Sequence, residues 1–69
     1  MVAYKVLACM DCEIGPGILM KDNFVEVYAE ADNEDQAKDF ARKYLDEDGF
    51  KNVRILQCEV ELNPKLDEL

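Results

Sequence analysis

The spacing of apolar residues changes along this chain, and each change marks an element. Val2 to Cys9 is an apolar run broken only by Lys5, which predicts a strand. Alternation puts Val2, Tyr4, Val6 and Ala8 on one face, with Ala3, Lys5, Leu7 and Cys9 on the other. Both faces are largely apolar, as expected of a central strand or of one whose second face meets a partner. Residues 24–31 alternate more strictly. Val25, Val27, Ala29 and Ala31 share one face, and Phe24, Glu26, Tyr28 and Glu30 the other, the pattern of a half-buried antiparallel strand. Between these runs, Gly15-Pro16-Gly17 and Asp22-Asn23 are turn signals. The apolar residues around the first, Ile14 and Ile18-Leu19-Met20, fit either an extended hairpin or a loop packed over the core.

From Ala37 the spacing becomes helical. Ala37, Phe40, Ala41, Tyr44 and Leu45 form the stripe of a core-facing helix. Asp32 is a suitable N-cap, and Asn33 with Gln36 offers the alternative register. Glu34 with Lys38, and Asp39 with Lys43, are acid-first pairs one turn apart. Gly49 is placed to end the helix in the left-handed conformation, with Phe50 folding back onto Leu45. Residues 52–62 predict a last strand, with Arg54, Leu56, Cys58, Val60 and Leu62 on one face and Val53, Ile55, Gln57, Glu59 and Glu61 on the other.

The order strand, strand, helix, strand gives an α+β fold. A right-handed crossover makes the second and third strands parallel. The simplest sheet therefore holds the first strand between them, antiparallel to both, with three or four strands and one helix on one face. We expect one domain over residues 1–63 and a frayed tail over 64–69, begun by Pro64. A single helix covers one sheet face, so the other is expected to meet solvent or a partner.

Composition narrows the chemistry. The 69 residues carry sixteen Asp and Glu against eight Lys and Arg, a net charge of −8, and there is no His, Ser, Thr or Trp. Serine-type triads, Cys–His dyads and His-metal hydrolase sites cannot be built, and no Gly-rich phosphate loop is present. Carboxylate pairs would need a cleft, which so small a domain scarcely offers. The expectation is therefore a protein that is not an enzyme and holds no cofactor. Half the residues are hydrophobic, so the charge signals an acidic folded domain rather than disorder. Met1–Ala8 is too short and interrupted for a signal peptide. Leu66-Asp67-Glu68-Leu69 departs from a retention tetrapeptide, and a cytoplasmic protein is expected. Direct nucleic-acid binding and membrane association are disfavoured by the excess of negative charge.

The acids fall into groups. Glu26 and Glu30, with Glu59 and Glu61, are expected on the uncovered sheet face beside Tyr28. Asp32, Glu34, Asp35 and Asp39 extend this set into the helix, and Asp46, Glu47 and Asp48 form a second group at its end, against the helix dipole. Carboxylates two positions apart on a strand lie about 7 Å apart, close to the spacing of successive phosphates. This ordered negative surface suits the basic site of a nucleic-acid-binding protein.

The segment from Glu26 to Leu62, with its acidic strand, the helix in AEADNEDQAKDFARKYL and the returning strand, resembles small phage-encoded inhibitors of the anti-CRISPR and anti-restriction type. Several of those act as DNA mimics. The likeness is one of size, charge and element order, and carries no diagnostic motif. It implies an inhibitor of a nucleic-acid-processing protein, such as a CRISPR–Cas effector, working in a host cytoplasm if the chain is viral. The alternative is a homodimeric or accessory protein docking through Leu7, Phe24 and Tyr28 on the uncovered face. Such a protein could hold a structural zinc at Cys9, Cys12 and Cys58, though three thiols leave a fourth ligand to be found. Reduced thiols, with Cys58 in the core, are the simpler expectation.

Overall fold

In the computed structural model, which describes residues 1–61, the chain forms β1 (Val2–Gly15), β2 (Ile18–Ala31), α1 (Glu34–Glu47) and β3 (Lys51–Val60). The sheet has three strands in the order β2-β1-β3, and both pairings are antiparallel. The α+β class, the element order and the central place of the first strand are as the sequence predicts. There is no fourth strand among the described residues. Leu62 and the tail expected over 64–69 lie outside them.

The segment left open by the sequence is a hairpin. Pro16 and Gly17 occupy its turn, with Gly17 at φ 73 as a type II turn requires after proline. Because the strands run into this turn, β1 and β2 each span fourteen residues, and the molecule reaches 41 Å in its longest dimension. A fourteen-residue helix spans about 21 Å. The helix therefore covers the half of the sheet near Val2 and Ala31, and the hairpin projects past it with Ile14, Ile18, Leu19 and Met20 exposed.

The core is built from alternate residues of β1 and β2. Tyr4, Val6, Ala8 and Met10 of β1 meet Val27, Ala29 and Ala31 of β2, under Ala37, Ala41 and Leu45 of α1. Phe50, Val53, Ile55 and Cys58 close its margins. Alanines on both the helix and the sheet let the two backbones approach closely.

Phe40 and Tyr44, predicted as core, are not in it: they are 52% and 50% exposed and stack on each other with ring centroids 6.3 Å apart. The reason is width. The outer strands of a three-stranded sheet lie about 10 Å apart, no more than the helix's own diameter. Only the residues pointing straight down find the sheet, and those on the flanks overhang it.

Both helix ends carry specific caps. The N-cap is Asn33, not Asp32: Asn33 Oδ1 accepts the Gln36 N–H at 2.9 Å, and Gln36 Oε1 accepts the Asp32 N–H at 3.0 Å. This reciprocal box satisfies two donors that would otherwise be bare. At the far end Gly49 is left-handed, its N–H reaches the Asp46 carbonyl, and the Phe50 N–H reaches that of Leu45, the expected Schellman arrangement. Glu34 and Lys38 pair as expected at 3.2 Å, whereas Asp39 is held by Arg42 at 4.0 Å rather than by Lys43.

In β3 the predicted faces change partway. Leu7 pairs with Gln57 and Ala8 with Ile55, so Leu56 is an extra residue that bulges from the ladder. Below it Val53 and Ile55 point to the core, and Arg54 joins Gln57 and Glu59 on the open face. Simple alternation had placed Val53, Ile55 and Arg54 on the opposite sides.

Two stability effects separate these roles. Leu45→Ala is expected to cost about 2–5 kcal/mol, as buried Leu truncations do, while Phe40→Ala leaves stability nearly unchanged. Asn33→Ala is expected to cost about 1 kcal/mol through loss of the cap. Urea unfolding followed by circular dichroism measures all three, and equal costs at Leu45 and Phe40 would contradict the packing described.

Candidate functional site

The sheet face away from α1 is the largest surface that this fold leaves without a covering layer. Its central row is Ala3, Lys5, Leu7, Cys9 and Asp11 of β1. Glu30, Tyr28, Glu26 and Phe24 of β2 stand opposite the first four on one side, and Glu59, Gln57 and Arg54 of β3 stand opposite Lys5, Leu7 and Cys9 on the other. Phe24 and Tyr28 are 66% and 55% exposed. They have no layer to pack under, because the single helix lies on the other side.

Charges on this face are organised around two cations. Lys5 stands between two carboxylates, 3.3 Å from Glu59 and 3.8 Å from Glu26. The hydrogen bond to Glu59, with the fields of Glu26 and Glu59, holds the Lys5 ammonium above its ordinary pKa of 10.5. Arg54 lies 3.2 Å from Asp11 and 3.5 Å from Asp22.

Asp11 is the one buried charged residue among those described, at 5% exposure. Its Oδ1 accepts the Asp22 N–H and an Arg54 N–H, each at 3.2 Å, and its Oδ2 accepts Asn52 Nδ2 at 2.8 Å. Asn52 and then the Asp22 N–H lower its pKa below 3.8, against the opposing effect of burial and with help from Arg54. The two edge strands bend to make these bonds. Asp22 and Asn52 both adopt left-handed backbone, at φ 59 and φ 53, each beside a break in register with β1. Asp and Asn are the residues after glycine that best tolerate this conformation.

The predicted acidic residues fall into separate places. Glu26, Tyr28, Glu30 and Glu59 share the open face. Glu61 follows them past the end of β3, its N–H on the Ala3 carbonyl at 2.8 Å. Asp32, Glu34 and Asp35 sit at the start of the helix, and Glu34 turns toward β3. Asp39 lies on the exposed helix surface. Asp46, Glu47 and Asp48 lie at the opposite end, beyond the reach of the first group. The sequence reading missed Arg54 on this face and Asp11 as its buried anchor. The available signal was Asp11 itself, a carboxylate set directly after the apolar run Val6–Met10.

The three thiols do not converge. Cys9 lies on the open side of β1, buried beside Asp22, while Cys12 is three residues on and faces the other way. Cys58 pairs with Val6 on the helix side, and burial raises its pKa above 9.0. Among the described residues no three Cys, Asp or Glu side chains are grouped to hold a metal ion. A shallow groove of about 350 Å³ runs between α1 and β3, lined by Glu34, Lys38, Arg42, Ile55, Leu56, Gln57 and Cys58. Among the described residues no helix is long and apolar enough to cross a membrane.

Comparison with protein-family models, with curated proteins and with solved structures finds no match to this chain.

The Asp11 cluster carries a pH signature. A carboxylate whose folded pKa is depressed contributes stability above its unfolded value, here 3.8, and loses it as pH falls through the folded value. Asp11→Asn presents an amide to the donors of Asn52 and Arg54. It is expected to unfold at lower urea than wild type at neutral pH, and the gap should narrow as pH is taken below 3.8. A gap of constant size across that range would show that the ionised carboxylate is not what the donors need.

Proposed function

We propose that this protein is a non-catalytic acidic binding module. Its open sheet face docks on a partner protein with a basic nucleic-acid site, in the cytoplasm, and blocks that site as an inhibitor would. The observation that carries this reading is the β2 row, where the exposed rings of Phe24 and Tyr28 alternate with Glu26 and Glu30. Aromatic side chains anchor interfaces by desolvation, and flanking carboxylates select a basic partner and speed its approach. The face is not a uniform polyanion, because Lys5 neutralises part of the charge of Glu26 and Glu59. Binding in this reading draws on rings and carboxylates together, with the target's nucleic acid as competitor.

That same Lys5 pairing favours a second reading, in which the face docks an accessory partner or another copy mainly through its aromatics. The two differ in their response to salt, since exposed charge interactions are screened and apolar ones persist.

Capture from a cell lysate on immobilised protein, at low and high salt, tests both. Three baits run in parallel: wild type, the triple variant Glu26→Gln/Glu30→Gln/Glu59→Gln, and the double variant Phe24→Ala/Tyr28→Ala. The inhibitor reading expects a captured protein that is lost at high salt, lost with either variant, and displaced by duplex DNA. Capture that survives the glutamine variant and DNA, but not the alanine variant, supports the second reading. Capture unaffected by either variant overturns both.

A further inference from the structure

We infer that the outer edge of β2 is a self-association edge. Two copies pair β2 against β2, antiparallel, about a two-fold axis at Val27, and Phe40 and Tyr44 of each copy close the seam on the helix side. The inference concerns the edge of the sheet rather than its open face, although Phe24, Glu26, Tyr28 and Glu30 of that face border the seam.

The first argument is the edge. Among the described residues β2 pairs only with β1, so its outer backbone groups have no strand partner. Natural edge strands are usually guarded by lysine, proline or a bulge. β2 has its bulge at Lys21 and Asp22, toward the hairpin turn, and from Asn23 to Ala31 it runs in unbroken register with neither Lys nor Pro, its charges there being Glu26 and Glu30 on the open face. The other edge, β3, is guarded along its length by Lys51, Arg54 and the Leu56 bulge. The asymmetry singles out β2.

The second argument is what overhangs that edge. Lys38 and Arg42 lie on the β3 flank of α1, where they line the groove. Ala37, Ala41 and Leu45 point at the sheet. One helical step to the other side places Phe40 and Tyr44 on the β2 flank. The helix starts beside Ala31, so the two rings lie about 9 and 15 Å along it from Glu34, roughly level with Tyr28 to Glu26. A stacked aromatic pair, half exposed, thus projects over the stretch of β2 that is least guarded. A two-fold axis normal to the sheet would put both helices on one side and bring the two pairs together.

The third argument is charge, which selects the register. Centred on Val27, the pairing sets Glu26 opposite Tyr28, Phe24 opposite Glu30, and Val25 opposite Ala29, so each carboxylate meets a ring. Centred on Glu26, that carboxylate faces its own copy. Centred on Tyr28, Glu26 faces Glu30. Like charges directly opposite are destabilising, and the Val27 register avoids them, whereas a register centred on Val25 would run into the bulge at Lys21 and Asp22.

Sedimentation from low micromolar to near-millimolar concentration tests the inference. Wild type is expected to pass from monomer to dimer. Phe40→Lys/Tyr44→Lys should raise the dissociation constant by about tenfold or more while circular dichroism stays native. Phe24→Glu, which would face Glu30, should weaken the dimer, and Phe24→Lys should preserve or tighten it. Ile18→Lys on the projecting hairpin should have no effect. Amides between Phe24 and Glu30 should exchange more slowly as concentration rises. A single 7.9 kDa species at every concentration overturns the inference and leaves the edge to a foreign strand. So does a dimer that ignores the helix aromatics and the sign of the charge at Phe24, or one that Ile18→Lys dissociates.

Discussion

A carboxylate can be taken out of water only where enough donors replace the water, and around Asp11 the donors come from both neighbouring strands. Asp22 supplies a main-chain N–H from β2, and Asn52 and Arg54 supply side-chain donors from β3. The three strands are therefore tied at one level of the sheet by a single side chain of the central one. That level is also where the architecture changes. On one side the helix roofs the sheet, and on the other the hairpin projects without cover. The left-handed backbone of Asp22 and Asn52 lets both edge strands turn toward the carboxylate. The chain returns from the helix through Phe50 and Lys51 at the same point.

The second constraint is the match in width between one helix and three strands. It explains why one face is open and why helix residues that fit an amphipathic pattern remain in solvent. On the open face the lack of a roof leaves Phe24 and Tyr28 bare among carboxylates. On the roofed face it leaves Phe40 and Tyr44 beyond the β2 border. Both sets of exposed rings follow from the same shortage of covering layers, but they look in different directions.

Where the backbone is regular, the sequence reads directly into the structure. The faces of β1 and β2, the span of the helix and its glycine stop follow from periods that the chain does not interrupt. The errors occur where one residue is added to or turned out of a regular element. Leu56 reverses the apparent faces of Val53, Arg54 and Ile55, and nothing in its apolar side chain announces the bulge. The misplaced pair Phe40 and Tyr44 has a different cause: periodicity reports which way a side chain points and not whether anything lies there. The predicted acidic face was legible in part. Glu26, Glu30 and Glu59 alternate as read, while the pairing of Lys5 with two of them depends on register between strands distant in sequence. The cysteine spacing suggested a ligand set only as long as the strand was ignored, since residues three apart on a strand oppose one another.

Leu56 has one more consequence, for how this fold can vary in length. Pairing on its two sides is Gln57 with Leu7 and Ile55 with Ala8, adjacent steps on β1. Without residue 56 the ladder would run regularly from Val60 to Arg54, and every other side chain would keep its present face. Position 56 is thus the point in β3 where the chain can lose a residue without a frame error. The wall of the α1–β3 groove that Leu56 helps to form can be remodelled there while the core and the open face stay in register.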